Sequence, residues 1–342
     1  MSDGLSPASG ELVQRGDLDQ LTRHVNALVA DRRWDELVVL GERCRLAFER
    51  GKQLWAVAAH IEYRLALEAP GQWAALMLET APGRFAFGPL PEVAASTHTW
   101  AELAPYLHGT PQATMSAHER VMRNDDLTDD PVATVLPEVL ELPLRLQPWE
   151  PRYAVAEYRP DKMAAPSPPL PPLVPVGPGP RARRTGPPPS PGAQDEVAGA
   201  LEDLVSTWTE ESNGRARAAG TQGTALQAVA ALGGRAEELV ELQPRTALAY
   251  IAWAAASGGA HGRRRGAAPG RFAAWWVLAC LAGRTSQSPL VADDLGEALH
   301  QSRWYAWGAG DAATGWVLRL AVEAGTGPRR GWAWAISAQD AT

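Results

Sequence analysis

The chain has 342 residues, 45% of them hydrophobic and 21% charged, a balance typical of a globular protein large enough for two domains. Its formal net charge is −7, and the acidic excess lies in residues 1–162. This argues against a general nucleic-acid surface, because such surfaces neutralise phosphates with basic side chains.

The distribution of apolar residues along the chain predicts the compartment in which the protein works. No run approaches the roughly 18 to 20 uncharged apolar residues that a membrane span requires. The first 15 residues are polar and lack the apolar stretch of a secretory signal. We therefore expect a cytoplasmic protein that does not contact a membrane.

The first part of the chain is predicted to form helices joined by short loops. Asp17 stands where it can cap a helix over residues 18–29, whose apolar positions share one face. Further helices are predicted at 34–48, closed by Gly51, and at 52–68. These hairpins resemble tetratricopeptide and other solenoid repeats, without a fixed period that aligns through them. The resemblance implies a helical array that binds a partner protein.

The rest of the first domain, which we end at residue 162, is predicted to be less regular. The segment from Thr99 to Glu102 has the form of a helix-opening capping box. Histidines recur ten residues apart at 98, 108 and 118, which is not a ligand spacing for one helix face, so we predict no metal site. Prolines punctuate residues 136–160, and we expect this stretch to lie extended on the first domain.

A proline-rich linker is predicted over residues 163–194, which contain 12 prolines and no acidic residue. Such a composition cannot bury enough apolar surface to fold. A plain spacer is the preferred interpretation, and a polyproline ligand with flanking arginines is the alternative.

Residues 195–342 are predicted to form a tryptophan-rich helical domain that ends in a β-hairpin. Helices are expected over residues 197–208, 226–232, 235–242, 246–256, 272–282 and 290–307. Apolar residues alternate over 316–323 and 332–336, which predicts two strands around a glycine-rich turn. The fold class is therefore mainly α, with an N-terminal domain of helical hairpins and a C-terminal domain closed by the β-hairpin.

The candidate site is a glycine-rich loop between two apolar segments. It begins at Ser257 and carries His261, Arg263, Arg264, Arg265 and Arg271. Its backbone amides and arginines could hold an anion at the start of the following helix. The alternative is a solvated turn, or arginines paired with acidic residues of the first domain. A Walker loop and a dinucleotide fingerprint are both excluded, because a predicted helix precedes the loop where they need a strand.

A polar cluster at residues 210–213 completes the candidate site. We predict Ser212 and Asn213 as ligand-binding residues, together with Ser257 and the four arginines of the loop. His261 and Glu211 would serve as the acid–base pair if the protein is an enzyme. The alternative is that Asn213 simply ends a helix.

These features favour an interaction or adaptor protein over an enzyme. The helical array would bind a partner protein, and the loop would bind an anionic small molecule, with no cofactor and no metal. The first alternative is an enzyme that acts on a small phosphorylated or nucleotide-like substrate. The second is a nucleic-acid-binding protein, which the acidic first domain makes less expected.

Overall fold

The computed structural model describes residues 7–80, 88–161, 196–234, 236, 238–287, 289–308, 315–325 and 327–341. The chain divides into two compact units. The first comprises Met1–Val139 and Ala156–Ser167, and the second comprises Leu140–Val155 and Pro168–Thr342. The linker predicted at 163–194 lies outside the described residues.

The first unit is helical throughout its described residues, apart from connecting loops. Its α-helices are α1 Pro7–Arg15, α2 Leu18–Ala30, α3 Trp34–Glu49, α4 Trp55–Glu68, α5 Gly71–Thr80, α6 Leu90–Thr97, α7 Trp100–Leu103 and α8 Pro111–Val121. The helices predicted at 18–29, 34–48 and 52–68 are confirmed as α2, α3 and α4.

The predicted helix ends of this unit are also present. The Asp17 carboxylate accepts a hydrogen bond from the Gln20 amide at 3.0 Å, which satisfies one free donor of α2. The Thr99 amide donates to the Glu102 carboxylate at 2.8 Å and completes the capping box of α7. Gly51 follows α3 with a φ of 93°, a conformation that glycine adopts without strain.

Helix α4 lies at the centre of the first unit. Every residue from Val57 to Leu67 is buried, so the helix is enclosed on all sides. This enclosure includes polar side chains, which need partners. Arg64 pairs with Glu68 and donates to Oδ1 of the Asn26 side chain at 2.6 Å.

The second unit combines helices with one sheet. Its α-helices are α9 Glu196–Asp203, α10 Ser206–Glu210, α11 Ala225–Ala231, α12 Pro244–Ala256, α13 Ala267–Ala282 and α14 Ala292–Gln301. Its strands are β1 Arg215–Gln222, β2 Glu238–Leu242, β3 Arg303–Gly308, β4 Trp316–Glu323 and β5 Trp332–Asp340. The sheet is antiparallel with the order β1-β5-β4-β3-β2.

The two faces of the sheet are covered differently. Helix α11 packs on one face through Ala228 and Val229, against a cluster that includes Tyr305 and Ala335. On the opposite face, the α12 residue Trp253 stacks on Trp316 of β4, with ring centroids 5.0 Å apart. Because α11 has only seven residues, it covers part of its face and leaves the remainder for a groove.

Residues 140–155 belong to the second unit, which corrects the expectation that residues 136–160 lie on the first domain. The ring of Trp149 lies 5.0 Å from that of Trp275 on α13. Arg245 of α12 donates a hydrogen bond to the Pro148 carbonyl oxygen. The prolines do keep this segment free of regular helix, as predicted.

The mainly α class is confirmed, but the sheet is larger than the predicted hairpin. The two predicted hairpin strands are present as β4 and β5. The helix predicted at 235–242 is wrong where β2 lies, and the one predicted at 290–307 ends early and continues as β3. Both errors fall on short apolar runs, whose periodicity does not distinguish a strand from a buried helix.

None of the described helices combines the length and the apolar character needed to cross a bilayer.

Candidate functional site

A groove of about 530 Å³ lies on the part of the sheet face that α11 leaves open. The described residues that line it are Asn213, Arg215, Ala216, Arg217, Leu232, Gly233, Gly234, Trp307, Ser337, Gln339 and Ala341. Its volume falls in the range of small-molecule sites.

The alternation of strand side chains places the polar residues of the groove on one face. Arg215 pairs with Gln339 and Arg217 pairs with Ser337 across the β1–β5 ladder. Ser337 is also the partner of Arg319 on β4. Since partners in a ladder point to the same face, Arg217, Ser337 and Arg319 form a row across three adjacent strands.

The inner end of this row is fixed by Trp307 of β3. The Arg319 guanidinium lies over the Trp307 ring at 5.5 Å from its centroid, a cation–π contact. The indole N–H of Trp307 donates to the Ile336 carbonyl oxygen at 3.2 Å. Trp307 is only 6% exposed, so it forms a wall of the groove and does not offer a stacking face.

The groove is basic. None of the described residues that line it is acidic. In the described part of the chain, Arg215 and Arg217 are exposed and have no ion-pair or hydrogen-bond partner for their guanidinium groups. The nearby Glu202 carboxylate of α9 accepts a hydrogen bond from the Ala218 amide at 2.7 Å and so blocks part of the free edge of β1. The groove therefore presents two arginine side chains that have no ion-pair partner within the described residues.

The predicted glycine-rich loop connects α12 to α13, and the chain itself supplies the anions that it binds. The Ala260 amide donates to Asp340 Oδ2 at 2.6 Å, and the Arg263 amide donates to Glu211 Oε2 at 2.8 Å. Ser212 donates from its hydroxyl to Asp340 Oδ1 at 3.0 Å. The polar cluster at 210–213 and the loop therefore do come together, with Asp340 as the bridge.

This arrangement corrects the assignment of the loop amides to an external ligand. Two of those amides, at Ala260 and Arg263, are already bound by carboxylates of the same chain and are not free for an external anion. Ser257 is likewise engaged, because its hydroxyl accepts from the Trp208 indole at 2.8 Å and donates to the Ala254 carbonyl oxygen at 2.9 Å. Its side chain is part of the internal packing of the unit.

The other loop residues predicted for the site are exposed to solvent or half-buried. His261 and Arg263 are exposed, and Arg264 and Arg265 are half-buried. In the described residues the His261 ring has no hydrogen bond to Glu211 or to any other group. The predicted acid–base contact is therefore not formed, although both residues stand on neighbouring segments.

Arg271 has a different environment from the other loop arginines. Arg271 and Glu150 form an ion pair at 2.7 Å in which both side chains are 0% exposed. Arg271 also donates to the Pro143 and Arg145 carbonyl oxygens at 2.9 and 2.8 Å. This corrects the prediction that Arg271 binds a ligand: its guanidinium donors are used in holding residues 140–155 on α13.

Tyr153 and Trp275 complete the surroundings of this carboxylate by donating to Glu150 Oε2 at 2.7 and 3.0 Å. Burial alone would raise the pKa of Glu150, but the hydrogen bonds and charge of Arg271 outweigh it and hold the pKa below its usual value. Burial and the neighbouring carboxylate raise the pKa of Tyr153 well above its usual value. The cluster is closed to solvent and serves packing.

Of the predicted ligand-binding residues, only Asn213 lines the groove. The sequence reasoning missed Arg215, Arg217, Arg319 and Ser337. Two signals were available: the Arg-Ala-Arg alternation at 215–217, and the polar position of Arg319 between Leu318 and Leu320. In the described residues no three His, Cys, Asp or Glu side chains gather in a way that could hold a metal ion.

Fold and groove together define a mainly helical protein of two units, the second of which carries an arginine-lined groove on its sheet. The chain belongs to a family of unknown function, DUF6183, whose model matches residues 19–327. Comparison with curated proteins and with solved structures gives no significant match.

Proposed function

We propose that the protein is a cytoplasmic interaction protein whose second unit binds an anionic group in the sheet groove. The observation that carries the proposal is the pair of Arg215 and Arg217, which line a groove without an acidic residue and have no partner for their guanidinium groups within the described residues. An anion at Ser337 would lie beside the guanidinium group of Arg217, its cross-strand partner, and guanidinium groups bind carboxylates and phosphates with paired N–H donors.

The proposed anion site is this groove, whereas the sequence alone predicts the glycine-rich loop as the anion site. In the loop, carboxylates of the chain occupy the Ala260 and Arg263 amides, whereas the guanidinium groups of Arg215 and Arg217 are unpaired within the described residues. An incoming anion would therefore have to displace an existing carboxylate at the loop, but not at the groove.

The experiment is a calorimetric titration with inorganic phosphate and with citrate at constant ionic strength. We expect Arg217→Ala to weaken binding by about tenfold or more, the effect of losing one charge-assisted contact. The matched comparison is a variant with Arg263, Arg264 and Arg265 all changed to Ala, which should bind as the wild type does. Binding lost in the loop variant and kept in Arg217→Ala would move the site to the loop and overturn the proposal.

For the first unit we propose contact with a partner protein. The support is a pair of large apolar side chains near the turn between α3 and α4, Leu46 and Trp55, which are 42% and 41% exposed. A partner identified by affinity capture should bind the Leu46→Glu, Trp55→Glu variant more weakly than the wild type. Equal affinity for both chains would contradict this part of the proposal.

A further inference from the structure

We infer that the ligand of the groove is a small molecule with two anionic groups about 7 Å apart, such as a bisphosphate. The inference rests on the proposed function and deepens it, because it names the class of ligand. It is carried by two arginines that line the groove, Arg215 and Arg217, which occupy successive positions on the same face of β1.

The first anion position is above Ser337. Arg217 is the cross-strand partner of Ser337 on β1, so the Cα atoms of the two residues are about 5 Å apart. The Arg217 guanidinium can therefore contact a phosphate that lies above Ser337. Ser337 adds a hydroxyl that has no hydrogen-bond partner within the described residues.

The second position is next to Arg215. Arg215 and Arg217 are two residues apart on β1 and face the same way, which separates their Cα atoms by about 6.6 Å. Asn213 lines the same end of the groove and can donate from its side-chain amide. Asn213 is exposed whereas Ser337 is half-buried, so solvent screens this position more and makes it the weaker of the two.

The wall of the groove opposite the arginines limits the chemical group that can link the two anions. Gly234 lies so close to Trp307 that a Cβ added to it would stand 3.4 Å from the indole ring. The backbone of Gly234, the ring of Trp307 and the side chain of Leu232 together form an apolar wall of the groove. A short carbon chain between the anions fits this wall and the groove volume of about 530 Å³. A polynucleotide fits less well, because Trp307 is 6% exposed and offers no ring face to a base.

The test is a calorimetric comparison of three probes at constant ionic strength: methyl phosphate, pyrophosphate and 1,3-propanediol bisphosphate. In the wild type we expect the bisphosphate to bind about tenfold more tightly than methyl phosphate, the contribution of one further charge-assisted contact. Pyrophosphate should gain less, because its two phosphorus atoms share one oxygen and cannot reach both positions.

Two variants test the two anion positions independently. Arg215→Ala should remove the advantage of the bisphosphate and leave the affinity for methyl phosphate within about twofold. Arg217→Ala should weaken the binding of both probes. Arg330→Ala is the matched control, since Arg330 is an exposed arginine on the turn between β4 and β5 and does not line the groove; it should bind as the wild type does.

The outcomes distinguish this inference from the proposed function. Equal affinity for methyl phosphate and the bisphosphate would overturn the two-anion ligand and leave the anion-binding groove in place. An advantage of the bisphosphate that survives Arg215→Ala would also overturn it. No binding of any probe, or binding that Arg217→Ala does not change, would remove the groove itself as a site.

Discussion

The ion pair of Arg271 and Glu150 illustrates how one contact can decide the position of a whole segment. Both side chains are completely buried, and the Arg271 guanidinium also binds two backbone carbonyl groups of residues 140–155. A buried charge without its partner is costly because the low-dielectric interior does not replace its hydration. The Arg271 guanidinium is therefore occupied by these contacts and is not available to bind a ligand.

We predict that Arg271→Met lowers the free energy of unfolding by about 3–5 kcal/mol, because it leaves the Glu150 carboxylate buried and unpaired. Urea unfolding measures the change. The matched control is Arg284→Ala, just beyond α13: its pair with Asp294 has side chains that are 48% and 36% exposed. Removing this solvent-exposed pair should cost less than about 1 kcal/mol. Equal losses in the two variants would contradict the structural role of Arg271.

At the scale of elements, the packing of α12 against α13 depends on a glycine inside a helix. A Cβ at Gly270 would collide with the Ala252 carbonyl oxygen and lie 2.9 Å from the Ala256 Cβ. Helix propensity alone would favour alanine at this position. The close approach of the two helices requires glycine at position 270 instead, because a methyl group there would force the helices apart.

Gly270→Ala should therefore destabilise the protein by about 1–3 kcal/mol, the usual cost of overpacking. Gly199→Ala provides the comparison, since Gly199 lies within α9 and a Cβ there would meet nothing within 4 Å. That substitution should stabilise the protein by up to about 1 kcal/mol. Thermal unfolding of both variants gives the signs, and a stabilised Gly270→Ala variant would show that α12 and α13 are not in close contact.

Elements also differ in how far the sequence predicts them. Helices α2, α3 and α4 follow from apolar periodicity and from caps at Asp17 and Gly51, which are local signals. Strands β2 and β3 are short, and β3 follows α14 directly after Ser302. Their state is set by pairing with strands distant in sequence, which no local pattern encodes.

On the scale of the whole molecule, the lowered pKa values of His60 and Glu150 make stability fall as the pH drops below neutral. Burial and the charge of Arg64 lower the pKa of His60 to about 4, from 6.5. The unfolded chain then binds a proton that the folded chain excludes, so stability falls as pH drops from about 6.5 to about 4. Glu150 acts with the same sign at lower pH, because its pKa is held below the usual value.

We expect the free energy of unfolding to be flat near neutral pH and to fall by about 3 kcal/mol between pH 6.5 and 4 through His60 alone, at 1.36 kcal/mol for each pKa unit. His60→Gln should remove most of this slope. His108→Gln is the control, because His108 is exposed. The measurement is urea unfolding at a series of pH values, and an unchanged slope in His60→Gln would contradict the assignment.

By itself the sequence determined the mainly α class, the early helices with their caps, the two C-terminal strands and the glycine-rich loop between α12 and α13. These features depend on contacts within a few residues or on a regular alternation, which are properties of the local chain. The sequence also predicts an arginine-rich anion site in the second half, and that site remains a proposal.

Only the tertiary structure decided which arginines share one face of the sheet. Arg217 on β1 and Arg319 on β4 are about a hundred residues apart, and they share a face because Ser337 of β5 pairs with both. Arg271 is withdrawn from the predicted site by Glu150, which is equally distant in sequence. Strand register and burial are set by the packing of the whole unit, because a one-residue slip would turn every side chain to the other face.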